Sequence, residues 1–398
     1  MKKKVLCFLL SLQLLFLTGC WDQRELAAVS MAIGMAVDVG ENGLYKITVE
    51  AINPAELNDQ TASGNAPSVV FTLEGNTMSE IAHKMNIGFS KSLIFSHMKT
   101  VIISKEIAEK GMLQFIDFLE RNREIRDDFN FIMVDEGKAA DVLKVLYTIQ
   151  KSSSLKLTRQ MSTGSKLWGS DPDIRLTDFV NALTATGREP VMATVHISGN
   201  PKKGASMDNL KKSELDAIVE IDSLAMFRDE KFVGTLPIEQ TRDYLWTQNK
   251  IKMTIVSVPC GNENYMALRI IHSRTKVKGD IQNGKPHIKL SIRAEGYING
   301  NFCGPYPLNE SSSYLMYEKK VEDYLKEQIG KMIHKVQKEY GVDIFGFGET
   351  VEQQNPKKYK KYKENWDEAF QQAQIDIETD IKIRRAGLTS KGALLRKK

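Results

Sequence analysis

Long apolar runs are almost missing from this chain of 398 residues: apart from the thirteen uncharged residues Val5–Leu17, no segment approaches the length of a membrane span. Crossing roughly 30 Å of hydrocarbon as a helix takes about 20 apolar residues, so a bundle of spanning helices is excluded. Histidine is scarce as well. None of the six (at 83, 97, 196, 272, 287 and 334) lies three or four residues from another, which removes the local metal-binding pairs of the zinc hydrolases. No Walker loop, G-x-S-x-G elbow or H-E-x-x-H is present, and Gly346-Phe347-Gly348 lacks the third glycine and the βαβ setting of a dinucleotide loop. Ser153-Ser154-Leu155-Lys156 fits the S-x-x-K of penicillin-binding chemistry, and Ser198-Gly199-Asn200 is close to S-x-N. The lysine-threonine-glycine element is missing, however, and no convincing buried helix follows the serine. Carboxylates such as Asp38, Glu50, Asp376, Glu378 and Asp380 read as a solvated face rather than as a glycosidase pair. Neither a catalytic residue nor a cofactor or metal site is expected. A charge excess is missing too: 55 Lys and Arg face 50 Asp and Glu, too even a balance to signal nucleic acid.

What is present is concentrated at the start. Met1-Lys2-Lys3-Lys4 followed by Val5–Leu17 has the basic and apolar regions of a signal peptide. Leu17-Thr18-Gly19-Cys20 then places a branched residue, a small residue and glycine before a cysteine, which resembles the lipobox of bacterial lipoproteins. Cleavage between Gly19 and Cys20 and acylation of the Cys20 thiol are therefore expected, with several acyl chains holding the product firmly to membrane lipid. Removing residues 1–19 takes away Lys2, Lys3 and Lys4, lowers the formal charge from +5 to +2 and leaves 379 residues, enough for about two or three domains.

The exported body reads as α+β: multidomain, with antiparallel or mixed sheets, packed helices and one long helix in the C-terminal domain. Gly40-Glu41-Asn42-Gly43 is a turn signal, Thr77 with Glu80 a capping box, and residues 148–175 are polar and turn-rich. The Gly-, Pro- and Lys-rich stretch at 199–212 reads as a linker between an N-terminal domain, 20–198 (with room for two subdomains), and a C-terminal domain, 213–390, before a basic tail at 391–398. Residues 215–227 and 232–236 form a hairpin closed at Asp229-Glu230, and 313–340 carries the longest helical stripe. The run Lys357-Lys358-Tyr359-Lys360-Lys361-Tyr362-Lys363 is either a lysine-rich helix exterior or a surface facing membrane or wall.

Cys7 leaves with the signal and Cys20 takes lipid, so Cys260 and Cys303 remain. Outside the cytoplasm a disulfide is permitted but not required. A hairpin of 265–277 and 287–297 with its loop at Asp280-Ile281-Gln282-Asn283 would set the two cysteines opposite each other. Centring it on the stronger turn signal Asn283-Gly284 would instead set Cys260 opposite Pro307. The pair is thus either bridged or two unrelated small residues.

Three segments together carry a family resemblance: Gly19-Cys20-Trp21-Asp22-Gln23-Arg24-Glu25-Leu26; the hairpin Leu224-Ala225-Met226-Phe227-Arg228-Asp229-Glu230-Lys231-Phe232-Val233-Gly234-Thr235-Leu236; and Asp343-Ile344-Phe345-Gly346-Phe347-Gly348 followed by Pro356, Trp366 and Phe370. They resemble the Ger(x)C family, the C-subunit lipoproteins of bacterial spore nutrient germinant receptors, over essentially the whole mature chain. The resemblance implies a non-catalytic, lipid-anchored receptor subunit on the outer face of the spore's inner membrane. It implies assembly with two membrane-embedded subunits, one with a large soluble region and one permease-like, in nutrient-triggered germination. A solute-binding lipoprotein of a transporter and a cell-wall or lipid-processing enzyme are the alternatives.

Overall fold

The computed structural model describes residues 28–41, 45–58, 60–261, 263–303 and 311–385. The signal segment, Leu17, Thr18, Gly19, Cys20, the second half of the expected turn at 40–43, and the tail at 391–398 lie outside the described residues.

Nine strands form the first sheet: β1 (Val29–Val39), β2 (Tyr45–Ile52), β3 (Ser68–Gly75), β4 (Ser92–Ile94), β5 (Thr100–Ser104), β6 (Asn130–Val134), β7 (Val191–Gly199), β8 (Ala217–Arg228) and β9 (Lys231–Pro237). Their order is β3-β2-β1-β5-β6-β7-β8-β9, with β4 beside the start of β1. The central run β1-β5-β6-β7 is parallel and the flanking pairs are antiparallel. The parallel centre follows from composition: every residue of β5 and of β6 is buried, as strands covered on both faces must be. Alternate side chains then feed two cores. Met35, Val37, Val101, Ile103, Phe131 and Met133 enter one. Ala36, Ile102, Ile132, Val134, Ala193 and Val195 enter the other, under α2 (Ala139–Lys144) and α3 (Ser153–Leu167). At α1 (Met78–Lys84) the N-cap half of the expected capping box is formed, with Thr77 Oγ1 accepting from the Glu80 N–H.

α4 (Leu176–Thr184) precedes β7, and α5 (Ile238–Thr247) leads from β9 into the second sheet, ordered β10 (Thr254–Pro259), β11 (Tyr265–Gln282), β12 (Lys285–Asn301) and β13 (Gln374–Arg385). Its inner face (Leu268, Ile270, Ile288, Leu290, Ile292, Ile377, Ile381) joins the larger core together with Tyr317, Val321, Leu325, Ile329 and Met332 of the long helix α6 (Ser311–Lys335). The helical pattern expected to Tyr340 is present, its last five residues, Val336–Tyr340, widened into a π-turn that stops at left-handed Gly341, φ 64°. α7 (Phe347–Gln354), α8 (Pro356–Tyr359) and α9 (Trp366–Gln371) follow before β13.

Several expectations need correction. Within 148–175 lies the fifteen-residue helix α3, whose inner face is Ser153, Ser154, Leu157 and Met161; buried serines hide the apolar periodicity that marks a helix. Asp38 and Glu50 are buried rather than solvated, whereas Asp376, Glu378 and Asp380 do sit on the outer face of the second sheet, facing His287, Lys289 and Lys382. The long hairpin closes at Asn283-Gly284, with φ 50° and 75° and Gln282 opposite Lys285, because those two residues accept the left-handed turn that strand twist demands. Cys260 therefore does not face Cys303 across β11 and β12. It lies at the β10–β11 turn, its N–H bonded to Asn264 O, and the structure bridges it to Cys303 beyond β12 with Cα atoms 5.7 Å apart.

The stretch 199–212 is folded into two short helical turns, Pro201–Gly204 and Met207–Lys211. Asn209 is buried there, donating to Leu146 O and accepting from the Asp216 N–H. The strands on either side, β7 and β8, pair with each other. Proteolytic nicking at the exposed Lys202, Lys203, Lys211 or Lys212 should therefore leave the two fragments co-eluting in size-exclusion chromatography until denaturant is added. Fragments that part without denaturant would show that this stretch divides two independent units.

Candidate functional site

The described residues hold no group of three or more His, Cys, Asp or Glu placed to bind a metal, and no helix long and apolar enough to cross a membrane. The most concentrated polar arrangement is built by Asp343-Ile344-Phe345-Gly346-Phe347-Gly348. Asp343 is fully buried. Its Oδ1 accepts the Phe345 and Gly346 N–H groups at 3.1 and 3.0 Å; its Oδ2 accepts Gly348 N–H and Trp366 Nε1–H, both at 2.8 Å. Burial pushes the carboxyl up to about 6, opposed by the hydrogen bonds from Gly348 and Trp366, so at neutral pH the group is mostly charged and its four donors replace the lost water.

Two glycines let this loop reach the first sheet. Gly346 takes the left-handed conformation, φ 73°. A Cβ on Gly348 would lie 2.6 Å from both Gly187 Cα and the Trp366 ring, so α7 touches the 185–190 segment backbone to backbone. There Glu189 N–H donates to Asp343 O at 2.8 Å and Glu349 N–H to Gly187 O at 3.1 Å. The Arg188 guanidinium spans Glu349 Oε2 and Gln248 Oε1, and Gln248 Nε2 donates to Phe345 O. Phe345 stacks on Phe347 with centroids 4.9 Å apart, and Tyr244 and Phe370 close the aromatic cluster. The Glu189 carboxylate in turn accepts the Asp229 N–H at the β8–β9 turn; burial raises it to about 7. The hairpin singled out in the sequence and the Asp-Ile-Phe-Gly-Phe-Gly motif are thus neighbours through Glu189. Every oxygen of Asp343 is occupied by the protein itself, so the arrangement holds elements together and offers no atom to a substrate.

The remaining sequence candidates separate. Cys20 and Leu17-Thr18-Gly19 lie outside the described residues. Ser153 and Lys156 do not act on each other: Ser153 Oγ donates to Val142 O, and Lys156 Nζ to Val219 O and Gln160 Oε1. Ser152 and Ser154 instead donate to buried Glu50 at 2.8 and 2.5 Å, and a Cβ on Gly34 would collide with Ser154 Oγ. Burial raises the Glu50 carboxyl, and the serine donors oppose the rise. Asp38 accepts from Ala139 and Ala140 N–H at the start of α2. The lysine run clamps the tip of the long hairpin: Lys358 Nζ reaches Asp280 Oδ1 at 2.7 Å, and Tyr362 OH donates to Gly284 O. Sequence reading missed the Glu50–serine contact and the cavity beside α3; only the i, i+4 pair Leu157 and Met161 hinted at that helix.

Comparison with known proteins matches residues 22–197 to the family described as spore germination protein N-terminal domain, and residues 222–387 to that described as spore germination B3/GerAC like, C-terminal. The chain is 28% identical over 395 residues to spore germination protein KC of Bacillus subtilis (strain 168), covering 97% of each chain. It is 25% identical over 386 residues to spore germination protein B3 of the same organism, covering 95% of this chain and 96% of that one. Its fold is similar to the crystal structure of the GerBC protein, with a TM-score of 0.56 and 19% identity over 92% of this chain and 100% of the other.

An Asp343→Asn variant keeps the shape but turns a donor toward Gly348 N–H or Trp366 Nε1–H. It should lose at least about 3 kcal/mol of unfolding free energy, read as a lower midpoint in chemical denaturation. An unchanged midpoint would show that the buried carboxylate does not hold the loop.

Proposed function

The chain belongs to the spore germination B3/GerAC-like family, and on that premise we propose that it is the non-catalytic, lipid-anchored subunit of a nutrient germinant receptor, held to the outer face of the spore's inner membrane through Cys20. Family membership makes it a component of the spore germination receptor. The anchor, the partners and the nutrient trigger are the finer parts of the reading. The observation that carries it is the lipobox Leu17-Thr18-Gly19-Cys20 at the head of a body in which no described helix can cross a membrane. An acylated cysteine supplies the attachment that the fold does not, and Trp21 beside it suits the headgroup layer. Two membrane-embedded subunits, one with a large soluble region and one permease-like, complete the receptor in this reading. The chain contributes binding surface rather than chemistry, in keeping with an Asp343 carboxylate whose acceptors are all filled from within. The Cys260–Cys303 bridge suits the same exported setting. A solute-binding lipoprotein would need two similar lobes around a cleft, and sheets of nine and four strands are not similar lobes.

The test is Cys20→Ala in the sporulating cell. The wild-type protein should incorporate labelled fatty acid and fractionate with the spore membrane. The variant should incorporate none, leave the membrane fraction and lower the germination response to nutrient. A variant that is still labelled, or a wild-type mature protein carrying no acyl group, would refute the anchor.

A further inference from the structure

Beside α3, away from the Asp343 loop, lies a cavity of about 1080 Å³ bounded by the first half of β8, the 147–150 segment and the turn at 210–213. Its volume lies just above the roughly 300–1,000 Å³ of small-molecule sites. Leu210, Leu215, Ile218, Ile221 and Ile238 give it aliphatic walls. All five are partly exposed to solvent, so the apolar lining is open to a ligand.

The charged groups at its rim are unevenly satisfied. Lys211 and Lys212 are ion-paired with Asp208 and Asp216, and Glu220 stands 3.4 Å from His196. Lys156 is different. Its amine is turned against neutral groups, namely Val219 O, Gln160 Oε1 and the face of Tyr147 at 4.8 Å. No carboxylate lies within ion-pair distance of it among the described residues. Burial pushes it down to about 8, only partly countered by Glu220. Arg159, one turn away on the same helix and also lining the cavity, has no partner among the described residues. A half-buried cation without a counter-ion, next to a second free cation and above aliphatic walls, is the complement of an acid group on an apolar chain.

We propose that this cavity binds a monoanionic aliphatic molecule, its acid group against Lys156 and Arg159 and its chain along Leu215, Ile218 and Ile221. The inference is independent of the lipid on Cys20, which is covalent and lies elsewhere in the chain.

Titration calorimetry of the mature full-length chain with dodecanoate, dodecanol and dodecylammonium tests it. Dodecanoate should bind saturably, and at least about tenfold more tightly than either of the others, since a charge-assisted bond to the lysine is lost with each. Lys156→Met, which leaves Arg159 in place, should reduce that preference. Thr163→Trp, an exposed position lining the cavity, should fill the space and abolish dodecanoate binding with the unfolding midpoint unchanged. If Lys156→Met fails to fold, the wild-type preference and Thr163→Trp decide. Absence of saturable dodecanoate binding would overturn the proposal; so would equal affinity for dodecanol, or undiminished binding by Thr163→Trp.

Discussion

A single buried carboxylate fixes how the two sheets of this protein meet. Asp343 gathers three backbone N–H groups and an indole N–H onto its two oxygens, and its own carbonyl takes the Glu189 N–H from the segment that leads into β7. Without the carboxylate the Phe345–Gly348 loop would bury unpaired donors, each a substantial cost. With it, the loop adopts the one path that brings Gly348 against Gly187 and stacks Phe345 on Phe347. The second sheet and its long helix then share one continuous core with the first.

The same internal satisfaction recurs elsewhere in the body. Three more carboxylates are held from within: Glu50 by Ser152 and Ser154, Asp38 by the start of α2, Glu189 by the β8–β9 turn. Outward, the second sheet pairs side chains strand to strand, His287 with Asp376 and Lys289 with Glu378, while Arg274, Lys276 and Lys278 of β11 stand exposed. The cavity beside α3 departs from this pattern, with Lys156 and Arg159 lacking a counter-ion among the described residues.

Features set by local chemistry were legible in the sequence. The β8–β9 turn depends on Asp229, whose φ is 53°, and the long helix on its own apolar stripe. Asp-Ile-Phe-Gly-Phe-Gly was recognisable as a motif, yet the role of its aspartate was not, because one of its donors, Trp366, lies 23 residues on and nothing local demands it. α3 escaped notice because its buried face is partly serine, which pattern reading counts as polar. The hairpin register stood open between Asp280–Asn283 and Asn283-Gly284, and the structure takes the latter, as turn chemistry favours. The parallel centre of the first sheet joins strands far apart in sequence, which short apolar runs do not reveal.

Native-state hydrogen exchange resolved by residue tests the coupling directly. If the Asp343 contacts and the shared core weld the sheets, the amides of Gly346 and Gly348, of β5 and β6, and of Ile288, Leu290 and Ile292 in β12 should open in one cooperative unit at the global unfolding free energy. If β12 and the glycine amides exchange at a much lower free energy while β5 and β6 stay protected, the sheets are independent and the account of the loop is wrong.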